Sequence, residues 1–529
     1  MTMNGVTVTG NSTEVEGESN CGGNGGGIYN DGDTLTINNS TILNNTATQG
    51  QSFCFSGNGG GIFVDFGTIT LDQTTVRNNQ ALAQNAVPEL GGGGIYNDGA
   101  NLTIQNGSVI DSNQAVNASG GGIYYTMNLR KTLQLPVICD GPCPAPIITT
   151  NLVIQNSAIT RNTALEDGGG IYRDQVMTLT NVTVSTNTAT NGEGGGIYNS
   201  GGSACFSPPC TGTLINVTVA NNTAPVAGGI SAPDVNVPVN LKNTLLAQNT
   251  GGNCNPADPV AAFGTLKHNL SDDDTCANFL TDGGTDLNGQ AANLGALGNN
   301  GGVTETHALQ IPSPAIDAIA VSDCTQADGS TPLTVDQRQT STVAAGTFSR
   351  PQDILGNGAL CDIGAFEVQP APAITVAPGS LSFQSTVGVT TAAQTVTITS
   401  TGVGPATLTS IGLTGGNAGL FAIASNTCGA LPAVLKPGAS CQLGITFTPN
   451  AGGTFSDANV VVGSNTPSNP NTVTLTGSAP LVPPPAPGFI YEGSGCSNMM
   501  GIPPSGSAAA SLLLFAPAAL NSFLKRRKK

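Results

Sequence analysis

The pattern of hydrophobic and polar positions repeats along the first half of the chain. Each unit begins with Gly-Gly-Gly-Ile-Tyr or a close variant, and two short alternations of apolar and polar residues and an Asn-Thr-Ala segment follow it. Alternation with a period of two indicates β-strands, and no helical periodicity lies between them. Three short strands cannot bury their inner face alone, so the units must stack. The pattern therefore predicts an all-β chain that opens with a right-handed parallel β-helix. The copies start at Gly25, Gly59, Gly92, Gly120, Gly168 and Gly194, with a worn copy at Gly228.

Columns of asparagine support this prediction. When the repeats are aligned on their last strand, one asparagine recurs in every unit. Parallel coils stack about 4.8 Å apart, and identical amides at that spacing can hydrogen-bond along the stack. The main column contains Asn11, Asn45, Asn79, Asn113, Asn162, Asn187, Asn222 and Asn249. A second, partial column contains Asn39, Asn156, Asn181, Asn216 and Asn243.

Composition excludes some partners and indicates export. A net charge of -17 over 529 residues argues against a nucleic-acid partner, because such partners require basic patches. The chain has 13 cysteines but only two histidines, and it lacks the spacing of a zinc site. Disulfides of an exported protein fit better, and they leave Cys496 unpaired. The expected pairs are Cys139 with Cys143, Cys205 with Cys210, Cys254 with Cys276, and Cys428 with Cys441, and at longer range Cys21 with Cys54 and Cys324 with Cys361.

The chain opens inside a coil. Residues 1–13 align without a gap on residues 177–189 and carry no signal-peptide pattern. A solenoid is normally capped, because a bare first coil exposes unpaired strand edges. We therefore expect residues 1–293 to form an N-terminally truncated β-helix, with further coils and an export signal encoded upstream.

The sequence after the coils resembles modules of bacterial surface proteins. The stretch NLGALGNNGG from Asn293, the triplet Asp336-Gln337-Arg338 and the motif CDIGAFE resemble the choice-of-anchor Q domain. This resemblance implies that residues 294–368 end the β-helix and that the protein is exported and attached. The GGGIY coils resemble those of polymorphic outer membrane proteins and pectate-lyase-like β-helices.

A second module is expected in residues 369–480. Short alternating strands separated by turns predict an immunoglobulin-like β-sandwich. Cys428, the stretch LKPGASC ending at Cys441 and the following ITFTPNAGGTF resemble the choice-of-anchor D domain. A proline-rich linker at residues 481–492 follows this module.

Residues 493–529 resemble a bacterial C-terminal sorting signal. A short motif around Gly495 and Cys496 precedes an apolar run at residues 507–524 and a basic end. The resemblance implies a transmembrane segment, cleavage near Cys496 and attachment through that cysteine. The alternative is a tail anchor without processing.

The candidate metal ligands are Asp31, Asp65 and Asp98, which lie two residues after the aromatic residue of their repeats. Stacked carboxylates repel one another unless they are protonated or bridged by a cation, so calcium is the candidate ligand. The alternative is that Asn-Asp-Gly serves only as a turn. Asp174 follows the same pattern.

Other candidate residues have structural interpretations. Glu166, Asp167, Arg173 and Asp174 form an acid-base cluster that is expected to be a solvated loop. His307 is expected to pack structurally, and the run Asp272 to Asp274 lacks regular calcium-ligand spacing. No catalytic residue and no cofactor other than calcium is assigned.

Two function classes follow. The first is a non-catalytic surface protein, a β-helical stalk anchored through its C-terminus at the cell envelope or outer membrane, with a role in adhesion or surface structure. Its partners would be the sorting machinery and a polysaccharide, host surface or neighbouring cell. The second is a surface-tethered polysaccharide lyase or glycoside hydrolase. A carboxylate cluster facing an arginine on one sheet would favour the second.

Overall fold

Three parallel sheets, built by successive coils of the chain, form the N-terminal part of the computed structural model. The structure describes residues 1–13, 23–49, 57–83, 91–127, 150–201, 210–234, 237–255, 263–276, 284–340, 347–356 and 358–481. Parallel pairing of successive repeats confirms the predicted parallel β-helix, and the described chain is all-β apart from three short 3-10 turns at Asp274–Cys276, Val321–Asp323 and Ala418–Leu420.

The largest sheet, which we call the long sheet, has 16 strands and contains the two alternations of each repeat. In early coils the alternations are separate strands, whereas in three later coils they merge into strands of nine or ten residues. Its strands are Thr2–Asn4, Thr7–Thr9, Thr34–Asn38, Thr41–Leu43, Thr68–Asp72, Thr75–Arg77, Asn101–Gln105, Val109–Asp111, Asn151–Thr160, Val176–Ser185, Gly212–Ala220, Val239–Lys242, Leu245–Ala247, Phe263–Lys267, Leu270–Ser271 and Leu287–Asn288.

The other two sheets come from the ends of the repeat. The GGGIY sheet has seven strands, which are Ile28–Asp31, Ile62–Asp65, Ile95–Asp98, Ile123–Thr126, Ile171–Arg173, Ile197–Asn199 and Ile230–Ser231. The short sheet contains the segments after each ladder asparagine, and its six strands are Ser12–Thr13, Thr46–Thr48, Gln80–Leu82, Gln114–Val116, Thr163–Ala164 and Thr188–Ala189.

The isoleucines of the glycine-rich repeats stack in one core, as predicted. They pair with one another in register from coil to coil. Ile62, Ile95, Ile123 and Ile171 are fully buried, while Ile28 in the first described coil of this sheet is partly buried against the same cluster. Because strand side chains alternate between faces, the residues that follow each isoleucine by one and by three face outward.

The main asparagine column is a continuous hydrogen-bonded ladder. From Asn11 to Asn249, each Nδ2 donates to the Oδ1 of the next ladder asparagine at 2.9–3.0 Å. The same Oδ1 also accepts a backbone N–H, as from Asn79 to Asn113 at 3.0 Å. The second Nδ2 proton goes to a backbone carbonyl, for example from Asn113 to Val76 at 2.9 Å. Each buried amide is thereby satisfied, as burial of polar groups requires.

The glycine-rich segment packs directly against this ladder. Gly92 has φ +68°, a conformation that favours glycine. A Cβ on Gly93 would lie 2.4 Å from the carbonyl oxygen of Gly121 in the next coil. A Cβ on Gly94 would lie 2.9 Å from Nδ2 of Asn113. The repeat therefore needs glycine because its backbone occupies the space beside the ladder.

The partial asparagine column lies at the bend between the two alternations of the long sheet. Its five members have φ between 47° and 53°, a left-handed conformation that asparagine tolerates. Asn181 donates to Oδ1 of Asn156, and Asn243 donates to Oδ1 of Asn216, both at 3.1 Å. This column thus shapes the bend as well as joining coils.

The described residues between 294 and 368 pack along the outer face of the long sheet. Ile215 and Leu245 face outward from that sheet and share a cluster with Ile316 and Phe366. Thr218 accepts the backbone N–H of Ala365 at 3.0 Å. The strands of this segment form two antiparallel pairs, Leu294–Gly298 with Thr306–Leu309 and Val335–Thr340 with Thr347–Ser349.

Two sheets share one core in the last described part of the chain. Phe383, Val396, Phe421, Leu443 and Phe447 are among the buried residues between them. This arrangement agrees with the predicted β-sandwich. One sheet contains Ile374–Ala377, Gln394–Ser400, Ser440–Phe447 and Phe421–Asn426. The other contains Ser380–Gln384, Asn471–Ala479, Asn459–Ser464, Ala406–Thr414, Ala433–Leu435 and Gly453–Phe455.

The predicted transmembrane segment lies outside the described residues. In the part of the chain that the structure describes, no helix is both long and apolar enough to cross a membrane. The apolar run at residues 507–524, Gly495 and Cys496 all fall in the range 482–529, which is not described.

The ladder predicts a large penalty for removing one central amide. Asn113→Ala leaves buried donors and acceptors of the neighbouring coils without partners, each costing about 1–3 kcal/mol, so we expect a loss on the order of 3–5 kcal/mol in the free energy of unfolding. Urea denaturation measures this loss. The control is Gln114→Ala, which removes an outward amide one residue further along and should cost less than about 1 kcal/mol. Equal losses in both variants would contradict the ladder's role.

Candidate functional site

Three predicted aspartates form a column on the outer face of the GGGIY sheet. Asp31 pairs in register with Asp65, and Asp65 pairs with Asp98, after which Thr126 takes the position. Asp31 is exposed, whereas Asp65 and Asp98 are only 6% and 3% exposed. Carboxylates on adjacent strands lie about one strand spacing apart, so their negative charges repel one another.

The Asn-Asp-Gly turns are closed by the asparagine. Asn97 donates to the carbonyl oxygen of Ala100 at 3.0 Å and accepts its N–H at 2.8 Å. Asn30 makes the corresponding bond to the carbonyl oxygen of Asp33 at 3.0 Å. The two hydrogen bonds of Asn97 therefore hold this turn in shape, and neither of them involves Asp98.

Asp174 extends the column beyond Thr126. The hydroxyl of Thr126 donates to Oδ2 of Asp174 at 2.6 Å. Burial raises the pKa of Asp174 to about 6, although hydrogen bonds from Thr126 and Gln175 act in the opposite direction. The expectation of a solvated side chain is wrong here, because Asp174 lies on a covered sheet face.

Arg173 lies on the other side of the same strand. It pairs in register with Tyr125, a core residue, and is itself fully buried inside the coil. Nη1 donates to the carbonyl oxygens of Gln175 at 2.6 Å and Cys210 at 3.0 Å. Burial lowers the pKa of Arg173 to about 9. Arg173 and Asp174 point to opposite faces, so they do not form the acid-base pair that their sequence proximity indicates.

Asp167 of this cluster and Glu193, which follows it by one coil, join neighbouring coils. Asp167 accepts the backbone N–H of Glu193 at 2.8 Å, and burial raises its pKa. Glu193 accepts the hydroxyl of Ser231 at 2.6 Å. These carboxylates serve as links between successive turns of the solenoid.

An aromatic stack next to the aspartate column was missed by the sequence analysis. Six rings, one from each GGGIY copy, lie face to face with centroids 4.3–5.3 Å apart. The sequence signal was the fifth position of the repeat, which is aromatic in all six GGGIY copies. Stacking consumes the ring faces that a sugar would otherwise contact. The rings are Tyr29, Phe63, Tyr96, Tyr124, Tyr172 and Tyr198.

A charged cleft on the long sheet was also missed. Arg77 and Arg161 donate through Nε to opposite oxygens of Asp111, at 2.6 Å and 2.7 Å. Nη2 of Arg161 reaches Glu305 at 2.5 Å. These groups lie at a cleft of about 210 Å³ between the sheet and residues 303–305. Contacts between residues so distant in sequence leave no local signal.

The charged residues of 336–338 and 361–367 form a buried network. Asp336 accepts from Nε and Nη2 of Arg338 at 2.9 and 2.6 Å and from the backbone N–H of Glu367 at 2.9 Å. The guanidinium of Arg338 lies 3.7 Å and 3.8 Å from the ring centroids of Phe348 and Phe366. These motifs therefore hold the segment together through ion pairs and cation–π contacts.

This network also fastens the segment to the β-helix. Gln337 accepts the hydroxyl of Thr183 at 2.6 Å and donates to Thr304 at 2.9 Å. His307 is buried between Ser185 and the carbonyl oxygen of Gly295, each at 2.8 Å, and burial lowers its pKa. His307 is therefore a packed structural residue, as interpreted from the sequence.

The acidic run Asp272 to Asp274 is engaged with neighbouring coil backbone. Asp272 accepts the N–H of Gln248 at 2.9 Å, and Asp273 accepts the N–H of Asn253 at 3.0 Å. In the ranges that the structure describes, no group of three or more His, Cys, Asp or Glu residues is placed to hold a metal ion.

Three predicted disulfides are present: Cys254 with Cys276, Cys324 with Cys361, and Cys428 with Cys441. Cys210 is also disulfide-bonded. Cys21, Cys54, Cys139, Cys143, Cys205 and Cys496 lie outside the described residues.

The buried carboxyl of Asp174 predicts a specific pH dependence of stability. Its folded-state pKa of about 6 lies above the ordinary 3.8, so its contribution is fully present below about pH 4 and is lost as pH rises through about 6. Asp174→Asn should therefore reduce the stability lost between pH 4 and pH 7, by up to roughly 3 kcal/mol. Urea unfolding at both pH values measures it.

The control for that measurement is Asp328→Asn. Asp328 has a pKa of about 2, so its ionisation is complete across the tested interval. This variant should keep the wild-type pH dependence even if its overall stability changes. An Asp174→Asn variant with an unaltered pH profile would contradict the assignment.

The calcium hypothesis predicts a different response. A cation bound to the column of Asp31, Asp65 and Asp98 would raise the melting temperature, and Asp98→Asn would abolish the rise. If Asn-Asp-Gly serves only as a turn, calcium and chelator should leave the melting temperature unchanged. A calcium-dependent rise that Asp98→Asn removes would establish the site.

Comparisons with known proteins place few limits on this site. No family model matches the chain, and no curated protein matches it. Matching solved structures include a protein of unknown function from Porphyromonas gingivalis W83, with 18% identity, a TM-score of 0.17 and coverage of 20% of this chain and 47% of that chain. The secreted serine protease VesC from Vibrio cholerae matches with 18% identity, a TM-score of 0.17 and coverage of 21% and 23%. The VesB protease from Vibrio cholerae matches with 14% identity, a TM-score of 0.17 and coverage of 20% and 32%. The chain spans less than half the length of each of these proteins.

Proposed function

We propose that this protein is a non-catalytic component of a bacterial cell surface, in which the β-helix acts as a stalk with an adhesive or structural role. The observation that carries the proposal is the unbroken asparagine ladder from Asn11 to Asn249. In this ladder and in the aromatic stack, the repeated asparagine and aromatic side chains contact the equivalent side chains of the next coil. A repeat used in this way builds an extended scaffold.

Disulfides support the extracellular part of the proposal. Bonds such as Cys254–Cys276 persist in oxidising surroundings and indicate an extracellular or secreted protein. The attachment is proposed from the sequence, in which the choice-of-anchor resemblances and the signal around Cys496 imply retention at the envelope. The sandwich of residues 369–480 would then act as an immunoglobulin-like spacer.

The alternative, a polysaccharide lyase or glycoside hydrolase, is favoured by one feature. The cleft at Arg77 brings Asp111 and Glu305 near two arginines. Both oxygens of Asp111 already accept hydrogen bonds, and its pKa is lowered, because the bonds from Thr160 and Arg77 and the arginine charges outweigh burial. A glycosidase needs a carboxylic acid with a raised pKa, which Asp111 does not provide. The cleft therefore supports binding better than cleavage.

The proposal predicts a processed, surface-exposed protein. Protease shaving of intact producing cells should release peptides of the β-helix, because the stalk faces the medium. Mass spectrometry of the surface form should show the chain ending near Cys496, and Cys496→Ala should shift the protein from the surface to the medium or to an internal membrane.

The controls separate attachment from folding. Cys428→Ala removes a cysteine from the sandwich disulfide and should affect stability without altering the C-terminal cleavage site. A surface form that retains Lys525 to Lys529 would rule out processing, and protein found only inside the cell would overturn the proposed location.

A further inference from the structure

We propose that the interior of the β-helix binds one small monovalent anion, such as chloride or hydrogencarbonate, at the guanidinium group of Arg173. This site goes beyond the proposed scaffold function, because it lies inside the solenoid and not on its surface. It involves binding only, so no covalent bond forms or breaks.

Arg173 differs from the other buried arginines of the described chain in having no carboxylate partner. Arg338 donates Nε and Nη2 to Oδ2 of Asp336 at 2.9 and 2.6 Å. Nε of Arg350 lies 3.1 Å from Oε2 of Glu367. Arg173 is also fully buried, yet within the described ranges its Nε and Nη2 have no hydrogen-bond partner.

The charge of Arg173 is only partly balanced by protein groups. Asp174 acts on it electrostatically, but this residue points to the opposite face of the strand, where its oxygens accept from Thr126 and Gln175. Burial lowers the pKa of Arg173 to about 9, so the guanidinium remains charged at neutral pH. A buried cation without a counterion is costly, and an anion bound to it would stabilise the folded chain.

The unpartnered atoms lie along one edge of the guanidinium plane. Nη1 is engaged by the backbone carbonyl oxygens of Gln175 and Cys210, which fixes the orientation of this plane. The opposite edge carries Nε and Nη2, the same two atoms that hold the carboxylate of Asp336 at Arg338. At Arg173 this edge therefore offers two charged donors to an anion.

The fold provides room for this guanidinium. Gly212 of the long sheet pairs in register with Met177 and Val239, so a core side chain would be expected at its position. A Cβ on Gly212 would lie 2.7 Å from Nη2 of Arg173. The guanidinium thus occupies the space that a side chain would otherwise fill.

The neighbouring coils limit the size of the anion. Arg173 pairs in register with Tyr125 on one side and Asn199 on the other, and both are fully buried. Coils lie about 4.8 Å apart, so a space bounded in this way admits an ion of a few atoms. Nδ2 of Asn199 donates to the carbonyl oxygen of Val237, and its Oδ1 has no hydrogen-bond partner. Hydrogencarbonate, or chloride with one water, could donate to that oxygen.

Crystals of the full chain grown with bromide in place of chloride test the inference directly. We expect an anomalous difference peak within hydrogen-bonding distance of Nε and Nη2 of Arg173. Planar density of four atoms at this position, without an anomalous peak, would identify hydrogencarbonate as the bound anion.

Urea unfolding at constant ionic strength tests the inference in solution, with chloride replacing gluconate, which is too large for the site. Tyrosine fluorescence reports the β-helix, because six of the seven tyrosines lie between residues 29 and 198. Once chloride exceeds its dissociation constant, each tenfold increase should raise the ratio of folded to unfolded chain about tenfold, as one bound ion requires. Hydrogencarbonate in place of chloride should give this response if it is the preferred anion.

The matched variants are Arg173→Met and Arg77→Met. Arg173→Met replaces the charge with an unbranched apolar side chain and should abolish the response to the anion. Arg77→Met removes the same charge from a side chain that is 49% exposed, and it should keep the response even if its stability changes. Should Arg173→Met fail to fold, the crystals of the unaltered chain still decide the question.

Three outcomes would overturn the inference. Bromide peaks confined to the surface would show an adventitious ion only, and a water molecule bound at Nε and Nη2 would replace the anion. An equal response to chloride and hydrogencarbonate in Arg173→Met and in the unaltered chain would place any binding elsewhere. None of these results bears on the proposed scaffold function, which is tested by the location of the protein on cells.

Discussion

Burial of one amide per coil is the constraint on which the rest of this structure depends. Each ladder asparagine must satisfy two donors and an acceptor inside a solenoid that excludes water. It does so through the asparagines and backbone of adjacent coils, as at Asn113. This geometry leaves no space for a Cβ at Gly94, so the ladder and the glycine-rich segment specify one another. The glycine-rich segment and the asparagine therefore recur together in the sequence because they pack against one another.

This dependence explains which features could be predicted from the sequence. The isoleucine core, the ladder and the disulfide Cys254–Cys276 arise from patterns within one repeat or between close cysteines, and they are found as predicted. The stack of aromatic rings was visible in the same repeat, but its position was interpreted only as a marker of the motif. Counting outward from the isoleucine would have placed Tyr96 on the outer face and Arg173 inside.

The cleft could not be predicted by the same reasoning. It forms because Glu305 lies against Arg161, 144 residues away, and because Gln337 fixes that wall. Neither contact follows from periodicity, since residues 294–368 leave the repeat and pack on its side. The motif around Arg338 was visible in the sequence, but the contacts through which Gln337 holds Thr304 and Glu305 were not. Its buried ion pairs stabilise a segment whose other edge shapes the cleft.

Residues that depart from the repeat are therefore the best candidates for a functional role. At the position of Arg77, neighbouring coils carry Leu43, Asp111 and Thr160 in register. The ladder contacts are the same in these coils, so the scaffold does not require these charges there. A solenoid fixes the spacing of outward positions at about 4.8 Å, which places Arg77 beside Asp111, and Arg161 directly follows the strand that pairs with the strand of Asp111. The regularity of the β-helix thus fixes the positions of the outward side chains, and the exceptions to its repeat determine which of those positions carry charge.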